Sequence, residues 1–295
     1  MHRLREIKDK SVRWFMRVMA FSGILFLLII GIALFIKSYP VIKESGLWKL
    51  LASGSWKPSS GVFGFLPFIV STLYVSAIAL AIALPLSLLT AIYLNSYASA
   101  GIRRFFEPVI DLLSGIPPVI YGVWGTITIV PFIANNIASG SSSGYSVMAG
   151  GIVLAVMIIP LLVGLLTEIF NSIPVEMTDA SLSLGATKWQ TVKRIILRRS
   201  FPGIVAVTVL SLSRAFGETM AVLMVCGNST RMPHSLLDAC YPLPALIANN
   251  YGEMLSIPGY ESALMLAAFI LFVIVFFFNG ISRLTLNHLE KRFHF

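Results

Sequence analysis

The chain is 295 residues long, 57% hydrophobic and only 12% charged, with a mean hydropathy of +0.85. Soluble domains average about 25% charged residues, so this composition excludes a soluble enzyme or regulatory domain and indicates an integral membrane protein. The net charge of +9 would suit nucleic acid, but membrane proteins collect Lys and Arg on their cytoplasmic loops, and no nucleic-acid partner is expected.

A membrane span needs about 20 apolar residues, and the chain holds six such runs. The first 17 residues carry six Lys/Arg, ahead of the apolar run Val18–Ile36. That run lacks a small-x-small exit, so it reads as a retained first span and not as a cleaved signal. A polar loop with Lys37, Lys43, Glu44, Lys49 and Lys57 follows. The second span is expected over Phe65–Asn95, with Pro85 inside it predicting a kink. A short loop then carries Arg103, Arg104, Glu107 and Asp111, charges that suit anchoring at the interface. No charge occurs from Leu112 to Thr167, which is room for spans at Leu112–Ala134 and Val147–Phe170. The Ser/Asn/Gly stretch NNIASGSSSGYS turns the chain between them. In SGIPPVIYG the pair Pro117–Pro118 excludes a regular helix, and reads either as a kink near a helix end or as part of a pathway. The fifth span is expected over Pro202–Val225 and the sixth over Ser262–Ile281. The outer loop 227–260 has apolar patches that predict a packed hairpin or a partial re-entry.

Orientation follows from counting basic residues. With the N-terminus inside, the inner segments carry six, two, five and three Lys/Arg, the outer ones four, none and one, and Arg214 remains over. That bias sets an all-α protein with both termini cytoplasmic. It divides into 1–61 (basic arm, first helix, outer loop), a membrane domain over 62–283 and a short tail over 284–295.

The segment 171–200 is then cytoplasmic, and reads as two helices joined by a turn. Pro174 suits a first turn, Glu176 and Asp179 favour its positive end, and Gly185 is a natural stop. Thr187 and Gln190 have capping-box spacing for the second helix. On it Trp189, Val192 and Ile196 are expected to share a face away from Lys188, Lys193 and Arg194. Such a hairpin lies on lipid or docks into another protein.

The fifth span carries Arg214 and Glu218. A charge at mid-bilayer costs roughly 2.5–3.5 kcal/mol on insertion scales, so it marks function by default. At i, i+4 on one helix the two would pair. They would either lock helices together or offer an arginine fork to an oxyanion, with Glu218 orienting it and Ser211 and Ser213 adding neutral donors. Elsewhere, His2, His234, His288 and His294 have no metal-ligand spacing. Asn228-Ser229-Thr230 is a chance sequon. A bridge between Cys226 and Cys240 stays open.

The order Asp179-Ala180-Ser181, Gly185, Ile195, Leu197 resembles the EAA loop of ABC importer permeases. Asp179 and Ser181 depart mildly from that pattern, and Arg198 stands where a proline is usual, which leaves the helix exit open. The stretches LLSGIPPVIYGVWG, SLSLGATKWQTVKRIIL and LSLSRAFGETMAVLMVCGN resemble the permease subunits of phosphate-specific ABC importers. The GETMAV…GN ending is closer to the PstC-type than to the PstA-type subunit. The resemblance spans roughly 62–282. It implies a type I ABC importer permease core of the MetI-like kind, set in the cytoplasmic membrane and moving phosphate. It implies a PstA-type second permease subunit, a PstB-type ATPase dimer docked on the hairpin and a PstS-type phosphate-binding protein outside. No cofactor is expected, and with no G-x-x-x-x-G-K-[ST] in the chain, ATP belongs to the partner. The alternatives are a permease for sulfate, molybdate or tungstate, or a secondary transporter or channel. The inverted repeats that would favour the latter are not evident, and no Ser/His/Asp or paired-carboxylate set suggests an enzyme.

Overall fold

Two helices carry the core because their sequences put small residues opposite large ones at helical spacing. On α3 (Leu66–Ser96), Val75, Ala79, Ala83, Ser87 and Ala91 recur every fourth residue and are all buried. On α7 (Val147–Asn171), Leu154, Ile158, Leu162 and Leu166 do the same. Small side chains let helix backbones approach closely, which matters in a membrane, where packing replaces the hydrophobic effect. The approach is so close that a Cβ on Gly151 would stand 2.5 Å from Ile78 Cγ2.

A computed structural model describes residues 2–138, 143–252 and 257–293. It also describes the side chains within 10–281, and those of 283 and 284. Before the core pair come α1 (His2–Ser45) and α2 (Leu47–Ala52). Between the pair lie α4 (Ala100–Ser114), α5 (Pro118–Trp124), a π-helical turn over Gly125–Ile129, and α6 (Val130–Asn136). After α7 come α8 (Val175–Ser183), α9 (Lys188–Thr191), a second π turn over Val192–Ile196, and α10 (Leu197–Gly217). The chain ends with α11 (Met220–Val225), α12 (Leu243–Asn250) and α13 (Tyr260–Phe293). Among the described residues, six helices are long and apolar enough to cross a membrane: Lys10–Ser45, Leu66–Ser96, Pro118–Asn136, Val147–Asn171, Lys188–Gly217 and Tyr260–Ile281. The serine-rich turn expected between the third and fourth spans falls partly on 139–142, outside the described residues.

Three expectations change. The loop after the second span is instead the helix α4, capped by the Ser99 hydroxyl on the Ile102 amide. None of its residues is buried, and Phe105 and Leu112 stay exposed. The third span therefore starts at Pro118, not Leu112. Charge alone had placed that boundary, but α4 runs past its last charge to Ser114, and Pro117–Pro118 then forces a fresh start. The first and last spans also extend further than their apolar runs, because helix continues into the flanking polar sequence.

The loop 46–65 is held by aromatic packing that polar composition does not announce. The ring of Trp56 contacts Phe63, Phe65 and Phe68 at 5.4, 5.4 and 5.0 Å between centroids, all edge-on. These form a second buried cluster with Tyr241, Leu243 and Tyr260. In the loop 227–260, α12 buries Leu243, Pro244, Ala245 and Leu246, so the loop is packed, as the apolar patches predict.

Candidate functional site

The hairpin 171–200 is shaped by short-range signals. α8 ends on Gly185 at φ +82°, where a side chain would be strained. The Gly185 and Ala186 amides donate back to the carbonyls of Leu182 and Ser181 at 2.9 and 3.2 Å, the paired bonds of a Schellman stop. Thr187 and Gln190 form the reciprocal capping box: each side chain accepts the other residue's amide, at 3.2 and 2.9 Å. The hydroxyls of Ser181 and Thr191 meet at 2.9 Å across the turn, tying the two arms together.

The faces of the second arm sort differently from the expectation. Val192 and Ile196 are buried, whereas Trp189 is 52% exposed beside the surface residues Lys188, Lys193 and Arg194. Asp179 and Ala180 are exposed on α8, and Ser181 and Ile195 are half-buried. Leu197 packs against the α3–α7 core. Pro174 caps α8 from just outside and does not occupy its first turn. Met177, Ala180, Leu184, Gly185, Arg194 and Ile195 line an open groove of about 620 Å³ between the arms.

The hairpin joins the membrane part in two ways. At its base, Asn95 at the end of α3 donates to Asn171 at the end of α7, at 2.8 Å. Arg103 caps the last carbonyls of α3, reaching Asn95 O at 3.0 Å and Leu94 O at 3.3 Å. Beyond the hairpin, helix runs unbroken from Lys188 to Gly217. Lys188 therefore stands roughly 39 Å from Arg214 along one rod, at 1.5 Å per residue.

That rod stops within the apolar stretch that was expected to be one span. Glu218 has φ −71° and ψ 122°, extended backbone, and α11 begins only at Met220. Arg214 and Glu218 are thus not on one helical face, and the expected pair does not form. Arg214 is exposed in the last turn of α10, at its negative end. Glu218 is half-buried, and its Oε1 accepts the Ala221 amide at 3.4 Å, at the positive end of α11. Each charge thus sits at the helix end of opposite partial charge, worth about 0.3–1 kcal/mol apiece. Ser213 spends its hydroxyl on the Val209 carbonyl at 3.0 Å. Ser211 is wholly buried, with no hydrogen-bond partner for its oxygen, so it does not share Arg214's open surface.

The third span closes against this break. A Cβ on Gly122 would stand 2.8 Å from Met224 Sδ, and one on Gly125 would stand 2.9 Å from Val225 Cγ1. Between them the Thr126 hydroxyl reaches the carbonyls of Gly122 (2.9 Å) and Met224 (3.2 Å). Tyr121 donates to the Leu113 carbonyl at 2.9 Å, spanning the gap between α4 and α5. Tyr121, Thr126 and the two glycines were not among the residues expected here. Their signal was the Y-G-x-x-G-T run that follows Pro117–Pro118.

Residues 83–294 match the family described as the binding-protein-dependent transport system inner membrane component. The chain belongs to this family. Relatives of this permease include the phosphate transport system permease protein PstC of Xylella fastidiosa strain 9a5c, 31% identical over 98% of this chain and 94% of that protein. The protein of the same name from Mesorhizobium japonicum is 32% identical over 98% and 96%. A probable ABC transporter permease protein of Bacillus subtilis, YqgH, is 39% identical over 70% and 66%. Among solved structures, a subunit of a bacterial alginate ABC transporter superposes with a TM-score of 0.65 over 97% of this chain and 96% of that one, at 18% identity. One from the MetNI methionine transporter scores 0.57 over 77% and 94%, at 20% identity. Those superpositions establish the fold, shared with membrane subunits of ABC transporters, with six helices among the described residues long and apolar enough to cross a membrane. The permease is a translocation subunit, not an enzyme.

Proposed function

We propose that this permease is the PstC-type subunit of an ATP-driven importer that carries inorganic phosphate across the cytoplasmic membrane. The observation that carries the reading is similarity to phosphate transport permeases along 98% of the chain. Both termini and the hairpin 171–200 face the cytoplasm, as the distribution of Lys and Arg requires. The partners are a PstA-type permease, a PstB-type ATPase dimer and a PstS-type binding protein. The hairpin seats on the ATPase through Asp179, Ala180, Ser181, Gly185, Ile195 and Leu197. ATPase closure moves the hairpin, and the continuous helix delivers that motion to Arg214.

At Arg214 the guanidinium fork matches two oxygens of a phosphate. Its place at the end of α10 gives it part of the counter-charge it needs before substrate arrives, so the anion is held without being trapped. Glu218 acts on the other side of the break as the cap of α11 and as a negative charge that limits retention. Ser211 and Ser213 would serve as donors only after α10 turns or shifts.

The test is reconstitution of the four components in vesicles. Uptake of labelled phosphate that requires both ATP and this chain, and that resists excess sulfate, molybdate or tungstate, is expected. Preferential uptake of another oxyanion would overturn the substrate. Uptake that proceeds without ATP would overturn the class.

A further inference from the structure

Cys226 and Cys240 are the only cysteines in the chain, and folding brings them together across 13 intervening residues. Both are fully buried. The Cys240 amide donates to the Cys226 carbonyl at 2.8 Å, and Gly227 and Cys240 form a parallel bridge. Both side chains are free thiols in this structure and lie close enough to influence each other. Gly150 makes the room, because a Cβ there would stand 2.5 Å from Cys226 Sγ.

The segment between them does structural work. Leu236 and Asp238 offer their carbonyls to the Met148 and Val147 amides, at 2.9 and 3.0 Å, and so cap the first turn of α7. The end of α11, the loop and the start of α7 therefore form one block, with the two thiols at its centre.

We propose that Cys226 and Cys240 form a disulfide in the mature transporter, stapling α11 to the loop that caps α7. The inference rests on the orientation proposed above, which puts this end on the outer, oxidising side. The oxidant is a disulfide-bearing thiol oxidase or a small-molecule disulfide of that compartment. One cysteine thiolate attacks its disulfide to give a mixed disulfide, and the second cysteine thiolate displaces the carrier. Two protons and two electrons leave the pair, and the oxidant departs reduced, the oxidase as a dithiol or the small-molecule disulfide as two thiols. Burial shields both sulfurs once the loop has seated, so the bond forms during folding.

The assembled complex is denatured without reductant, treated with a thiol-alkylating reagent, digested and analysed by mass spectrometry. A peptide pair joined through Cys226 and Cys240, separated by reduction with a gain of two hydrogens, is expected. A Cys226→Ala variant should leave Cys240 fully open to alkylation. Quantitative alkylation of both cysteines without reduction overturns the proposal. A reporter fused at the C-terminus reads the orientation separately, so free thiols on a confirmed outer face would sink the disulfide and leave the topology standing.

Discussion

Glu218 accepts the amide of Ala221 at 3.4 Å, three residues along the chain and beyond the end of the helix that carries Arg214. The two charges therefore have separate duties, and separate variants should reveal them. Glu218→Gln keeps an oxygen at the head of α11 and should leave the complex folded. Glu218→Ala removes the cap and should cost about 1 kcal/mol, read as a lower melting temperature of the detergent-purified complex. Equal stability of the two variants would show that the cap contributes nothing.

Arg214→Gln tests the pathway directly. The variant complex is expected to assemble normally, with ATP-driven phosphate uptake reduced at least tenfold, about 1.4 kcal/mol. Unchanged uptake in an intact complex would remove Arg214 from the route.

Two substitutions at glycine separate strain from collision. Gly185→Ala meets no atom within 4 Å but must hold φ +82°, which costs roughly 1–2 kcal/mol and should only weaken co-purification with the ATPase. Gly125→Val would drive side-chain atoms into Val153 and Val225. Overpacking of that kind costs about 1–3 kcal/mol or more, and should lower the yield of folded protein. Comparable losses in both readouts for both variants would contradict this division.

Asp238 gives the loop 227–260 a pH dependence. The backbone amides of His234 and Ser235 donate to its Oδ2 at 2.9 and 2.8 Å and hold its carboxyl below the usual carboxylate range. A lowered folded pKa means the stabilisation is complete above the unfolded value of about 3.9. It is lost as pH falls through the folded value. Hydrogen exchange at the His234 and Ser235 amides should therefore quicken in strong acid. In Asp238→Asn that acid response should disappear.

The capping box at Thr187 and Gln190 predicts that Thr187→Ala loosens the second arm by about 1 kcal/mol. ATP hydrolysis by the assembled complex should then respond less to phosphate-loaded binding protein. Undiminished stimulation would mean that the hairpin keeps its shape without the box.

Features encoded within a few residues could be read from the sequence alone. The six apolar runs, the stop at Gly185 and the box at Thr187 and Gln190 each depend on local backbone needs that those residue types satisfy wherever they occur. What the tertiary structure decided depends on partners far away in the chain. The expected single fifth span ends at Gly217, and α11 instead packs against Gly122 and Gly125 of the third span, a proximity that hydropathy does not encode. The same holds for Trp189, whose spacing matches Val192 and Ile196 but which stays 52% exposed while they are buried. It holds also for Cys226 and Cys240, which the fold of the loop sets side by side. Arg214 and Glu218 show the division most plainly. Their presence in an apolar stretch marked the place, while a break in the helix, which i, i+4 spacing cannot reveal, separated their roles.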